Sequence, residues 1–400
     1  MAESLISPEE AWSRLALHLK PLPNTLVSRR LSWRRVLATD LEAKVDVPSQ
    51  DVSAMDGYAV AAGPTETTLP VVGTIAAGDR PGFELEPATA IRIMTGAPVP
   101  RGTDRVIPVE LTDGGTVEVE LRGTTASGAH IRRGGEVIKL GQPLLPSGTA
   151  ISAATLATLA THGISPLEVH RPPSVAVITT GDEVVPPSIT PQPGQLRDSH
   201  TDFLIAAGRG LALDFDSLGI ASDDQDALAE RISSGMRSDV LIIGGGVSKG
   251  AFDWVESTLE ACGCEVLFHN VAIQPGKPLL AAKHSRGLVF GLPGNPNAVM
   301  ATYSLFVRPA LRRLMGYEDG FWFTPRRGVL ADALPGAKGR DRFIPARRAA
   351  SVEGDSLHPI SARGSHDMGA FARADALVRV PAGSAPRAAG EPCVYQLLED

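Results

Sequence analysis

Residues 240–254 read "VLIIGGGVSKGAFDW". Four apolar residues climb into three glycines, then Ser248, Lys249 and Asp253 follow before amphipathic sequence resumes. A short apolar run closed by glycines predicts a buried strand turning into a helix. The glycines mark a place where something approaches the backbone closely. Their spacing is neither the G-x-G-x-x-G of a dinucleotide site nor the G-x-x-x-x-G-K-[ST] of a P-loop.

On both sides of this stretch, strands alternate with helices. "SVAVITTG" predicts a buried strand, "SHTDFLIAAGRG" a helix, "LDFDSLGI" a strand and "DDQDALAERISSGM" a helix. Beyond it, "EVLFHNVAI", "PLLAAK" and "GLVFGLPG" predict strands. A helix closes the run, with Asn295 as cap, Pro296 at its first position and Val299, Tyr303, Phe306 and Ala310 on one face. That alternation implies a doubly wound, mostly parallel sheet. Elsewhere the texture changes. Ser7, Pro8 and Glu10 predict a capped helix at the start of the chain. From about 58 to 150, and again past 320, short β-like runs are split by Gly and Pro turns. The predicted architecture is α/β and multidomain. Residues 1–45 and 141–172 form an elongated linking and dimerisation part, and 46–140 an inserted β-rich module. The α/β domain takes 173–318, and a β-barrel-like domain takes 319–400.

Composition narrows the class. Four hundred residues exceed one ordinary core. A hydrophobic fraction of 43% and a charged fraction of 21% are those of a globular chain. The net charge of −7 argues against a nucleic-acid partner. Three cysteines, Cys262, Cys264 and Cys393, make neither a zinc set nor a disulfide framework. The acidic N-terminus lacks a signal-peptide core, and no apolar run reaches membrane-spanning length, so a cytoplasmic protein is expected.

In an open α/β sheet, ligands bind where strands end in loops leading to helices. Four such loops are "TTGDEV" (179–184), "GGGVSKGAFD" (244–253), "QPGKP" (274–278) and "GLPGNP" (291–296). Their glycines (Gly181, Gly244, Gly245, Gly246, Gly276 and Gly294) allow backbone N–H groups to approach an anion. Ser248 adds a hydroxyl donor, and Lys277 a point charge. Ordinary strand–turn–helix punctuation explains any one loop, but four at one sheet edge favour a phosphate-type site. Acids accompany them: Asp182, Glu183, Asp223, Asp224 and Asp253. Helix capping accounts well for Asp223 and Asp224 and less well for the others. Acids beside an anion site fit a bridging Mg²⁺. Alone, these loops describe a Mg²⁺-dependent nucleotide-binding α/β enzyme.

"SAMDGYAV" (53–60) and "RIMTGAPVP" (92–100) lie far off in the β module, holding Asp56 and Thr95. Together with the four loops, in this order, they resemble the molybdopterin molybdenumtransferase (MoeA) family, related to the E domain of gephyrin. The likeness runs nearly end to end and includes "ARGSHDMGAFARADALVRVP" (362–381). The resemblance implies an elongated cytoplasmic homodimer that inserts molybdate into adenylylated molybdopterin with release of AMP, in a Mg²⁺-dependent step. Molybdopterin adenylyltransferase would be the upstream partner. It assigns Asp56, Thr95, Glu183, Asp223 and Asp253 to catalysis, with Glu183 and Asp253 on the metal. It also gives nucleotide binding to the glycine loops, with Asp182, Ser248, Lys249, Pro293 and Asn295, and molybdate binding to Gln274, Lys277, Arg340 and Ser365.

Four positions depart from the family pattern. Val137 stands where an acid is usual, Gln274 replaces one of two lysines, Lys249 replaces a small apolar residue, and His200 replaces an asparagine. Lys249 is expected to restore the charge that Gln274 removes. The alternative is a divergent paralogue that binds the pterin nucleotide as carrier or scaffold with weak insertion or none.

Overall fold

A computed structural model describes residues 5–62, 67–247, 254–319, 321–364 and 366–398. Ser248, Lys249, Asp253 and Ser365 therefore lie outside the described residues. The chain divides into two compact units, one of residues 39–149 and 154–166, the other of 150–153, 167–400 and the segment before Thr39.

The larger unit holds a six-stranded sheet of β1 (Val175–Thr180), β2 (Phe215–Ala221), β3 (Val240–Gly244), β4 (Glu265–His269), β5 (Leu280–Lys283) and β6 (Leu288–Leu292). Their order across the sheet is β2-β1-β3-β6-β5-β4. β2, β1, β3 and β6 run parallel, and β5 is antiparallel to both its neighbours. The mostly parallel sheet expected from the alternating pattern is present. Every residue of β1, β3 and β6 is buried, because both sheet faces are covered. Successive side chains take opposite faces. Val175, Val177, Val240, Ile242 and Phe290 join Leu204, Val299 and Phe306 in one core. Ala176, Ile178, Leu241, Ile243 and Val289 join Leu228, Ile232, Val255 and Leu259 in the other.

The helix expected after "GLPGNP" starts at Pro296 with Asn295 in the cap position. It is α-helical to Thr302, widens to a π-helix over Tyr303–Val307 and returns to α over Arg308–Leu314. Val299, Tyr303, Phe306 and Ala310 all enter the core. At the start of the chain, Ser7 accepts the Glu10 N–H at 3.1 Å, but the Glu10 carboxylate turns to Arg14 instead of closing a capping box.

The same unit ends in a barrel of strands Arg326–Leu330, Asp341–Ser351, Gly354–Pro359, Ala376–Val380 and Pro392–Leu397. It closes because Asp341–Ser351 pairs with both Gly354–Pro359 and Ala376–Val380. Ile273–Gln274 adds a short parallel strand against Asp341–Arg342. Phe306 stacks on Trp322 with ring centroids 6.0 Å apart, joining the long helix to the barrel's aromatic flank.

The smaller unit contains a five-stranded sheet ordered Thr103–Pro108, Gly57–Ala61, Ala90–Ile93, Thr68–Ile75 and Glu118–Glu120. Tyr58 and Val60 face one core while Ala59 faces another, as strand alternation requires. No helix among the described residues is long and apolar enough to cross a membrane.

Candidate active site

The chain leaves β1 for β2 on one side, then returns to place β3 on the other. That reversal opens a crevice beyond the carboxyl ends of β1 and β3. Register aligns the rim, with Thr179 opposite Gly244 and Gly244 opposite Leu292. A cavity of about 250 Å³ lies there. Thr180 lines it from the end of β1, Gly181 and Glu183 from the loop that follows, Asp223 from the loop after β2, Gly245 and Gly246 from the loop after β3, Gly294 from the loop after β6 and Pro296 from the helix that follows it. Three of the four glycine-bearing loops therefore converge on one cavity.

The turn after β3 is built on close approach. Gly245 has φ of +105°, and a Cβ there would meet Thr180 Oγ1 at 2.8 Å and the Thr180 carbonyl oxygen at 2.9 Å. Its N–H donates to the Leu292 carbonyl at 3.0 Å, tying the turn to β6. Behind the turn, His269 lies between Glu256 (2.7 Å from Nδ1) and the Val247 carbonyl (2.9 Å from Nε2), bracing its base.

The acids divide by role. Asp224 is the helix cap, accepting the Ala227 N–H at 2.9 Å. Asp223 is not; its N–H donates to Asp182 Oδ1 at 3.1 Å, and the Asp182 N–H reaches back to Asp223 Oδ2 at 3.5 Å. The two loops are thereby cross-linked. Glu183 and Asp223 remain on the cavity wall. Among the described residues no three acids, histidines or cysteines form a metal-binding group. Mg²⁺ needs only one or two carboxylates when substrate phosphate and water complete its shell, so these two acids fit it.

"LRDSHTD" holds residues the sequence did not single out for the site. Asp198 is buried, lines the cavity and accepts four hydrogen bonds at the start of helix His200–Gly210. His200, read from sequence only as a departure, lines the same cavity. Burial pushes its pKa below the ordinary value, against the opposing influence of Asp198 and the Gly244 backbone.

Comparison with known proteins then places the chain. Residues 6–163 match the MoeA N-terminal region (domain I and II), 176–313 a probable molybdopterin binding domain, and 327–398 the MoeA C-terminal region (domain IV). Molybdopterin molybdenumtransferase 2 of Mycobacterium tuberculosis (strain ATCC 25618 / H37Rv) is 35% identical over 89% of this chain and 90% of that relative. The chain belongs to the MoeA family. Its place is in molybdenum cofactor biosynthesis. Molybdopterin molybdenumtransferase of Staphylococcus aureus (strain Mu50 / ATCC 700699) is 31% identical over 95% and 92%. A crystal structure of a molybdopterin biosynthesis MoeA protein from Pyrococcus horikoshii matches with a TM-score of 0.81 at 30% identity, over 99% of this chain and 100% of that one. A second, from strain OT3, gives 0.82 at 25% identity over 98% and 100%.

In this MoeA-family chain the remaining candidates fall elsewhere. "QPGKP" does not reach the first cavity. Gln274 lines a second one of about 440 Å³, with Asn297, Arg342, Ser361 and Gly364. The reason is local, since Ile273–Gln274 is drawn into pairing with Asp341–Arg342. Gly276 holds the loop close under the long helix, where a Cβ would meet Thr302 Cγ2 at 2.5 Å. The segment 294–297 touches both cavities, Gly294 and Pro296 lining the first and Asn297 the second. Lys277 is exposed and Arg340 half-buried, and neither lines either cavity. Pro293 is buried behind the β6 loop. Asp56 and Thr95 belong to the smaller unit and are brought together there. The Thr95 N–H and hydroxyl donate to Asp56 Oδ1 at 2.6 and 2.7 Å. Those bonds, the backbone one foremost, hold the Asp56 carboxyl below its usual range. Val137 is an exposed side chain on a turn whose neighbour, Glu136, accepts the Arg133 N–H at 2.8 Å.

Proposed function

We propose that the protein inserts molybdate into adenylylated molybdopterin, releasing AMP, as a homodimer fed by a molybdopterin adenylyltransferase. The observation that carries this reading is the convergence of Thr180–Glu183, Gly245–Gly246, Asp223 and Gly294 on one cavity at the sheet's switch point. The glycine turn and the start of helix His200–Gly210 are suited to a diphosphate. Mg²⁺ would be held by Glu183 with Asp223 and, by the family pattern, Asp253, and when bound it neutralises charge on the phosphoanhydride. The P–O bond to AMP would break as a water oxygen attacks phosphorus, and the two dithiolene sulfurs would bind molybdenum in place of one molybdate oxygen, which leaves as water with the two thiol protons. The second cavity, around Gln274, Arg342 and Ser361, offers neutral and cationic donors to an oxyanion. By the family pattern Asp56 would act as a catalytic carboxylate, fixed by Thr95.

The test mixes purified protein with adenylylated molybdopterin, Mg²⁺ and molybdate without oxygen. AMP release that depends on molybdate is expected. Tight binding with no release would instead support the carrier reading, which the neutral Gln274 on the second cavity favours. Absence of both overturns the proposal.

A further inference from the structure

We propose that His200 and Thr180 are the side chains that grip a phosphate oxygen of the bound nucleotide, and that His200 takes up a proton as that phosphate arrives. This rests on the nucleotide reading of the cavity given above.

Thr180 ends β1 and His200 begins helix His200–Gly210, and both line the 250 Å³ cavity. They are 6% and 8% exposed. Thr180 Oγ1 and His200 Nδ1 make no hydrogen bond within 3.5 Å among the described residues, although the Gly244 backbone lies close enough to favour the charged imidazole. Buried polar atoms normally find partners, so two orphans on one cavity wall mark where a ligand supplies them. Both flank the glycine turn. A Cβ at Gly245 or Gly246 would meet Thr180 Oγ1 at 2.8 or 2.9 Å, and one at Gly244 would meet His200 Nδ1 at 3.0 Å.

The chemistry selects an anion. A threonine hydroxyl and an imidazole N–H both donate, and the start of an 11-residue helix adds partial positive charge beside them. The neighbouring Asp198 is not competing for these donors, because Thr179, the His200 backbone and Thr201 already occupy it. The other charged groups facing the cavity among the described residues are Arg197, Glu183 and Asp223. Burial disfavours the charged imidazole. A phosphate oxygen against Nδ1 favours the imidazolium, so binding and protonation reinforce one another.

The experiment is anaerobic calorimetric titration of adenylylated molybdopterin with Mg²⁺, at several pH values and in buffers of different ionisation heat. The ligand's diphosphate does not titrate in this range, and any ionisation of its dithiolene or pterin is common to every variant, so the difference between wild type and a His200 variant belongs to the protein. Wild type is expected to bind roughly tenfold tighter near pH 6 than near pH 8, with proton uptake. H200N keeps an amide donor at the Nδ1 position but cannot titrate, so it should bind as wild type does near pH 8 and show no uptake. H200A and T180V should each weaken binding about five- to tenfold near pH 6. Unchanged pH dependence or uptake in H200N overturns the proposal, as does wild-type affinity in T180V. A wild-type protein that binds nothing at any pH overturns the nucleotide reading itself.

Discussion

Thr201 donates to Asp198 twice, its N–H reaching Oδ1 at 3.1 Å and its hydroxyl reaching Oδ2 at 2.6 Å. The His200 N–H at 2.9 Å and the Thr179 hydroxyl at 3.3 Å add to the load on Oδ1. One buried carboxylate thus joins the end of β1 to the helix that carries His200. D198A would strand four donors, and a loss of about 3 kcal/mol is expected. Ligand affinity should fall with it, because His200 loses its fixed seat. Thermal unfolding and nucleotide titration on D198A and D198N check this, with D198N intermediate. A D198A protein as stable as wild type would refute the linking role.

Gly245 is the next lever. Alanine there must accept a φ of +105° and push a methyl to 2.8 Å from Thr180 Oγ1. About 2 kcal/mol of destabilisation is expected, with a larger effect on nucleotide affinity because the cavity wall itself moves. Gly194 offers the control, since its φ is +91° but an added Cβ meets nothing within 4 Å. G194A should lose some stability and leave affinity intact. Equal affinity losses in the two variants would count against the turn as a binding element.

Much of this was legible in the chain and some was not, for separable reasons. "SVAVITTG", "VLIIGGG" and "GLVFGLPG" announce buried strands because a sheet covered on both faces tolerates no polar alternation. The reversal of β5 leaves no such mark. Asp223 and Asp224 look interchangeable as caps, and only the fold shows Asp224 on the helix and Asp223 bonded to Asp182. Asp198 and Thr180 are single polar residues in unremarkable contexts, and their role exists only once β1, β3 and the helix meet. "QPGKP" resembles the other loops locally. Its pairing with Asp341–Arg342, nearly seventy residues on, lies beyond any local pattern. The π-helical segment Tyr303–Val307 is likewise invisible in an apolar periodicity that runs straight through it.

In the smaller unit, T95V removes the hydroxyl donor to Asp56 and keeps the backbone N–H. The Asp56 carboxyl should then titrate higher than in wild type, though still below its usual range, since the backbone bond is the larger of the two influences. Carboxyl carbon NMR over an acid titration reads this directly. D56N, which keeps shape and removes charge, should lower molybdate-dependent AMP release by a hundredfold or roughly so. An unshifted Asp56 titration in T95V would dismiss the hydroxyl as a tuning group.

Acid stability should fall in two separate windows. Asp239 sits just before β3, at the sheet end opposite the cavity, and receives Arg171 at 2.7 and 2.8 Å, the Ser174 N–H at 2.7 Å and the Ser174 hydroxyl at 2.6 Å. Burial would raise its pKa, but these donors more than offset that and hold it at about 2. A carboxyl depressed on folding stabilises above its unfolded value, and that contribution, about 2 kcal/mol, is lost as pH falls from 4 towards about 2. D239N should show the loss already at neutral pH, with AMP release per folded molecule unchanged. His200 works in the other window. Its pKa is lowered on folding, so above its ordinary value of 6.5 both states are neutral and it contributes nothing. Below that value the unfolded chain takes up a proton the folded chain resists, and stability falls. Denaturant unfolding between pH 7 and pH 5 should therefore be flatter in H200N than in wild type, while D239N keeps the wild-type slope there. Identical slopes for H200N and wild type would mean the imidazole is not held neutral in the folded protein.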